Sequence, residues 1–153
     1  MKWKNPPRTK IYEALGALAD GRVEGDNFEG KVYSSTRNKF YTITYEPESN
    51  RIMCNDNASY WNGYLGYPAI AFLMKNGVLS YSKEYGEILS GVPWKDINQK
   101  FKNNFEKALE YILSSKTIEE RNRLSDFVIK VEKEIRGLKL NLLGEKTIPP
   151  EGY

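Results

Sequence analysis

Histidine is absent from this 153-residue chain, and cysteine occurs once. Without an imidazole there is no histidine general base, no Ser-His or Cys-His nucleophile pair, and no His-based zinc or iron site. A lone cysteine excludes an intramolecular disulfide and a multi-cysteine metal cage. No cofactor is expected from these residues. No apolar run approaches the roughly 18 residues of a membrane span. The longest, Ala69 to Met74, is core-sized, and the opening Met-Lys-Trp-Lys-Asn-Pro-Pro lacks the apolar stretch of a secretory signal. No membrane partner is expected, and the reading is a cytoplasmic protein with Cys54 reduced. A single glutamine in a Lys/Glu-rich chain leans towards a thermophile source, and thirteen asparagines lean against it. An AT-rich thermophile genome reconciles the two.

What is present describes an ordered globule. Hydrophobic residues make up 40% and charged residues 28% of the chain, a balance that separates it from disordered tails. A chain of this length reads as one domain, residues 1–153 with a tail from 144, able to bury roughly 70% of its unfolded surface. The net charge of +3 is too small to imply nucleic-acid binding, but it is unevenly placed. Lys2, Lys4, Arg8 and Lys10 stand without an acid in residues 1–12, whereas residues 13–30 hold five acids against Arg22.

Periodicity divides the chain into helical ends and a stranded middle. Ile11, Leu15 and Leu18 recur at helical spacing behind possible caps at Asn5 or Thr9, and Gly21 follows as a stop. Segments 31–35, 39–46 and 51–55 are rich in Val, Ile, Thr, Tyr and Phe and are separated by turn residues. Phe40, Thr42 and Thr44 alternate with Tyr41, Ile43 and Tyr45, which places the two sets on opposite faces of a strand. Arg22–Glu24 or Phe28–Glu29 supplies a short edge. Residues 68–75 suit either a short buried helix or a hairpin strand turning at Asn76-Gly77, with Ala and Met favouring the helix. Residues 83–89 read as a second short helix. From Trp94 to Leu113 one apolar stripe runs through Ile97, Phe101, Phe105, Leu109 and Ile112, and Thr117 with Glu120 forms a capping box for a second. The two make an antiparallel helical hairpin, and the meander's inner face is the apolar surface it is expected to cover. Leu138, Leu140 and Leu142 suit a last strand.

The fold read from the sequence is therefore α+β: a first helix, an antiparallel meander of four or five strands, and a covering C-terminal helical hairpin. TATA-box-binding-protein-like and helix-grip-like arrangements share this order of elements, an analogy of architecture that carries no function.

One stretch stands apart. Between residues 55 and 68, four of the eight residues from 60 to 67 are aromatic, and no charge occurs between Asp56 and Lys75. Aromatic rings stack on flat rings or sugars while short amides bond their polar edges. Asn57, Tyr60, Trp61, Asn62, Tyr64 and Tyr67 are accordingly the expected binding residues of a loop that meets a small ligand or a protein partner. A plainer role for the loop is to pack its own rings over the sheet edge. The alternative is a nucleic-acid surface made by Lys2, Lys4, Arg8 and Lys10 with Arg37 and Lys39, beside Tyr33, Tyr41 and Tyr45. The amphipathic helices also allow a homodimer.

Catalytic signals are poor. Ser80 and Lys83 have S-x-x-K spacing without any companion motif. Cys54 lies in a strand pattern, where cysteine is a small hydrophobe. Late carboxylates alternate with Lys and Arg as on a solvated helix face. Asp20, Glu24, Asp26 and Glu29 offer oxygen ligands to a hard cation, but without the spacing of a calcium loop. The leading expectation is a non-catalytic binding protein; an enzyme relying on carboxylates or lysine is the remaining class.

Overall fold

The computed structural model describes residues 1–152. Its sheet has five strands in the order β1 (Val23–Gly25), β2 (Glu29–Tyr33), β3 (Phe40–Glu46), β4 (Arg51–Cys54) and β5 (Asn141–Leu142). The first four form an antiparallel meander, and β5 lies parallel to β4 with Ile52 opposite Leu142. On β3 the pleat behaves as its sequence dictates: Tyr41, Ile43 and Tyr45 are buried while Phe40, Thr42 and Thr44 are exposed. The N-terminal segment closes the far side of the sheet. Leu142 N–H donates to the Met1 carbonyl at 2.7 Å, and the Trp3 indole donates to the Ile52 carbonyl at 2.9 Å.

The described residues also form seven α-helices, besides a single 3-10 turn at Pro47–Ser49: α1 (Thr9–Ala19), α2 (Asn57–Asn62), α3 (Tyr67–Lys75), α4 (Lys83–Ile88), α5 (Trp94–Lys100), α6 (Phe105–Leu113) and α7 (Ile118–Leu138). The ambiguous segment at 68–75 is a helix, buried from Pro68 to Met74. It lies directly on the meander and touches β1 to β4. Gly30 is what lets it approach, because a β-carbon there would stand 2.6 Å from the Phe72 ring. Helix α1 packs on α3 and is buried on every side from Thr9 to Ala17.

Three expectations are corrected. The helix that meets the sheet most closely is α3, whereas α7 packs on α1 and α4 a layer further out. A short run that is apolar all round is buried on two faces, and that is why α3 can fill the middle layer. The stripe from Trp94 to Leu113 is two helices, because Lys102 and Asn103 take positive φ values of 52° and 61° and turn the chain between them. Asn104 then caps α6 by accepting the Lys107 N–H at 3.2 Å. At the first helix, Arg8 occupies the N-cap position without a side-chain cap, so neither Asn5 nor Thr9 serves there. No helix among the described residues is long and apolar enough to cross a membrane.

Candidate functional site

The aromatic-amide stretch is helical where a loop is expected. Asp56 is the N-cap of α2 and accepts the Ser59 N–H at 3.2 Å. The same buried carboxylate accepts the Ser59 hydroxyl and, at 2.9 Å, the Cys54 thiol. Ser59 in turn accepts the Gly66 N–H at 3.2 Å, so one cluster joins β4, α2 and the start of α3. Gly66 has an ordinary extended φ of −77°, but a β-carbon there would overlap the Asp56 carboxylate. Burial pushes the Cys54 thiol well up, and the Asp56 carboxylate adds to this. Ellman's reagent should therefore titrate no thiol in the native protein and one after unfolding in guanidinium.

With Ser59 turned inward, α2 presents its other side to solvent. Asn57 and Asn62 are exposed, and Trp61 is 72% exposed with Tyr60 packed edge-on at a ring separation of 4.8 Å. The helix is tied down at its end by Lys4 N–H on the Gly63 carbonyl at 3.0 Å, and by Lys146 Nζ on the Tyr60 carbonyl at 3.3 Å.

Between α2 and α5 lies a cleft of about 810 Å³. Tyr41 of β3 and Tyr67 of α3 are part of its lining and meet edge to face at 6.3 Å. Burial raises both phenols, and Tyr64 likewise, so all three remain neutral O–H groups at physiological pH. Helix α1 supplies Lys10 and Glu13, a buried pair at 3.5 Å, and the Lys10 amine also sits 4.0 Å from the centre of the Phe105 ring. Glu13 accepts Asn98 Nδ2 at 2.9 Å, which links α1 to α5. The opposite wall is Trp94, Lys95 and Asn98 of α5, the Lys95 N–H being held by Ser35 Oγ at 2.9 Å. Lys39 reaches the cleft from the β2–β3 connection, with its amine over the Tyr41 ring at 5.6 Å and donating to the Gly152 carbonyl at 2.9 Å and that of Pro150 at 3.4 Å.

Five of the six expected binding residues line this cleft: Asn57, Trp61, Asn62, Tyr64 and Tyr67. Tyr60 instead braces Trp61. Of the six cations of the nucleic-acid alternative, Lys10 and Lys39 line it. The others are dispersed. Arg8 pairs with Glu132 at 3.0 Å, a bond that raises the guanidinium and lowers the carboxylate, and Arg37 donates to the Asp20 carbonyl at 2.7 Å. Lys2 and Lys4 bridge through their backbones to Asn141 and Tyr64.

The weaker chemical candidates have structural partners. Ser80 donates its hydroxyl to Glu134 at 2.6 Å, and Lys83 pairs with Glu87 at 4.0 Å. Asp20 accepts the Gly91 N–H and Asp26 those of Phe28 and Glu29, all at 2.8 Å. Among the described residues no group of three or more Cys, Asp or Glu is placed to hold a metal ion.

Sequence reasoning missed Glu13, Lys95 and Asn98. Lys95 and Asn98 stand among the polar residues beside the apolar stripe from Trp94, and Glu13 opens an acidic stretch, with no motif to single any of them out. Polar residues flanking the well-buried Ile11, Ala14 and Leu15 were the only local sign that α1 is polar where it meets a cavity.

The fold and cleft define the class: an α+β protein with an antiparallel-dominated sheet and a large concave site at one end of it, lined by aromatic, amide and lysine side chains. The chain belongs to the family described as uncharacterised conserved protein UCP014422, which it matches over residues 3–141. That span takes in every helix and the strands β1 to β4, and ends on the first residue of β5. No curated protein and no solved structure matches it.

Proposed function

We propose that this protein is a non-catalytic binding protein that takes a small ligand in the cleft between α2 and α5. The observation that carries this reading is the convergence of five residues of the aromatic-amide stretch with Lys10, Lys39 and Lys95 around one cavity of about 810 Å³. A cavity of that size suits a molecule of nucleotide or sugar dimensions. Trp61 supplies a flat, exposed ring for stacking, and Asn57 and Asn62 offer donors and acceptors for a ligand's polar edge. A concave site favours a small molecule over a protein surface, and the dispersal of Arg8, Arg37, Lys2 and Lys4 favours it over a nucleic-acid backbone, which needs cations along a track.

Thermal-shift screening against nucleotides, sugars and metabolites tests the reading, with Trp61→Ala as the control. Loss of so exposed a side chain should change stability by no more than about 0.5 kcal/mol. It should weaken a stacked ligand about tenfold or more. A panel that leaves the melting temperature unmoved, or a ligand indifferent to Trp61→Ala, would remove the proposal.

A further inference from the structure

Helix α1 brings a lysine and a carboxylate to the wall of the cleft and leaves both with hydrogen-bonding capacity unused. The Lys10 and Glu13 side chains are only 8% and 3% exposed, yet both line the cavity. Lys10 and Asn98 donate to the same carboxylate oxygen, Glu13 Oε1, at 3.5 Å and 2.9 Å. Glu13 Oε2 accepts nothing from the described residues. The Lys10 ammonium has three N–H groups. One makes that long contact, and the amine otherwise faces the Phe105 ring, with its centre 4.0 Å away. Asn98 holds Oε1 even though its own amide oxygen is left buried without a partner. An ion pair buried for structure alone repays its desolvation only when the geometry is close and the remaining lone pairs and protons are satisfied, and buried polar groups are ordinarily paired in full. This pair is long, half satisfied and set against a cavity.

We infer that the Lys10–Glu13 pair reads the hydrogen-bonding edge of a nitrogen heterocycle of nucleobase type, whose faces are covered by the aromatic side chains of the cleft. This rests on the reading of the cleft as a small-ligand site, and narrows it to the base. Lys10 can only donate and Glu13 can only accept. Their complement is an acceptor and a donor side by side with fixed polarity, which is what the edge of a base presents. Sugar hydroxyls exchange the roles of donor and acceptor freely, so either charge alone would serve them. Trp61, Tyr64, Tyr67 and Phe105 line the same cavity, and their flat faces suit a flat ring.

The experiment titrates the intact protein by calorimetry with the common ribonucleosides, with their analogues methylated on the edge nitrogen that donates, and with ribose and glucose. At least one nucleoside should bind, and methylating its edge should weaken it about tenfold or more, the worth of one hydrogen bond to a charged group. Lys10→Met with Glu13→Leu keeps the side-chain volume and should bind that nucleoside and its methylated analogue alike, because the variant and the methyl group remove the same interaction. Glu13→Gln should reduce the preference between them, and decides the matter where the double variant does not fold. A folded variant that keeps the full preference would make the pair structural and overturn the inference. Sugars bound in place of nucleosides would overturn it and leave the small-ligand reading standing. A single-stranded oligonucleotide bound where no nucleoside binds would overturn it in favour of a nucleic-acid surface. Silence from the nucleosides, with a metabolite screen that also leaves the melting temperature unmoved, would remove both readings together.

Discussion

Replacing Asp56 with alanine should cost about 3 kcal/mol of folding stability. Loss of the α2 N-cap accounts for about 1 kcal/mol. The rest comes from the buried Cys54 thiol and Ser59 hydroxyl, each left without the carboxylate it now donates to, at about 1 kcal/mol apiece, the lower end of the cost of a stranded buried polar group. For a chain of this size the melting temperature should fall by about 6–12 °C. Asp56→Asn should be intermediate, because one amide oxygen replaces two carboxylate oxygens that now serve three donors. Gly66→Ala reaches the same cluster from the other side, by driving a methyl group into the carboxylate. The two substitutions should therefore not add. Once Asp56 is alanine the obstacle to a side chain at 66 is gone, so the double variant should unfold at nearly the same denaturant concentration as Asp56→Ala alone. Additive losses in urea titrations would show that the cluster does not couple α2 to α3. Ligand binding should fall with stability here, because this cluster orients the helix that carries Trp61 and Asn62.

Parts of this architecture were legible because local chemistry and tertiary setting agree. The alternation of Phe40 to Tyr45 predicts both strand and buried face, since the pleat has a period of two wherever one side is covered. Thr117 and Glu120 announce α7 through a capping box that needs only a few adjacent residues, and both of its hydrogen bonds are present. Helix α2 was missed although its signals were there, Asp56 before and Gly63 after, because six residues hold too little apolar periodicity to outweigh two glycines and four amide or hydroxyl side chains within 55–66. The break at Lys102-Asn103 was hidden by coincidence. Ile97, Phe101, Phe105 and Leu109 keep a spacing of four across the turn, and nothing in an apolar stripe reports the φ of the polar residues beside it. The site was half legible for a related reason. Trp61, Asn62 and Tyr64 are neighbours in the chain and stood out by composition, whereas Lys39 and Lys95, far apart in sequence, come to line the same cleft only through the fold.

Glu13→Ala should be about as damaging as Asp56→Ala, for an electrostatic reason. Helix α1 is buried on all sides near its start, yet carries Lys10 and Glu13 with side chains 8% and 3% exposed. Removing the carboxylate leaves the Lys10 amine with the Phe105 ring and whatever water the cleft admits, and also takes away the acceptor of Asn98. Breaking a buried pair by deleting one partner costs about 3–5 kcal/mol, and the opening of the cleft beside Lys10 places this case near the lower figure. Removing both charges is a different experiment. Lys10→Met with Glu13→Leu substitutes apolar side chains of similar volume, and such exchanges are commonly neutral or stabilising. The double variant should therefore unfold within about 1 kcal/mol of the parent chain, as read by urea denaturation with an unchanged m-value. It should still bind poorly, because Asn98 loses the contact that fixes it to α1, the wall carrying Lys95 loses that brace, and the cleft has one lysine fewer. A stable double variant with full ligand affinity would show that α1 carries its buried charges for some purpose other than shaping this site. An unstable one would show that the pair holds the helix in place by more than the sum of its desolvated charges.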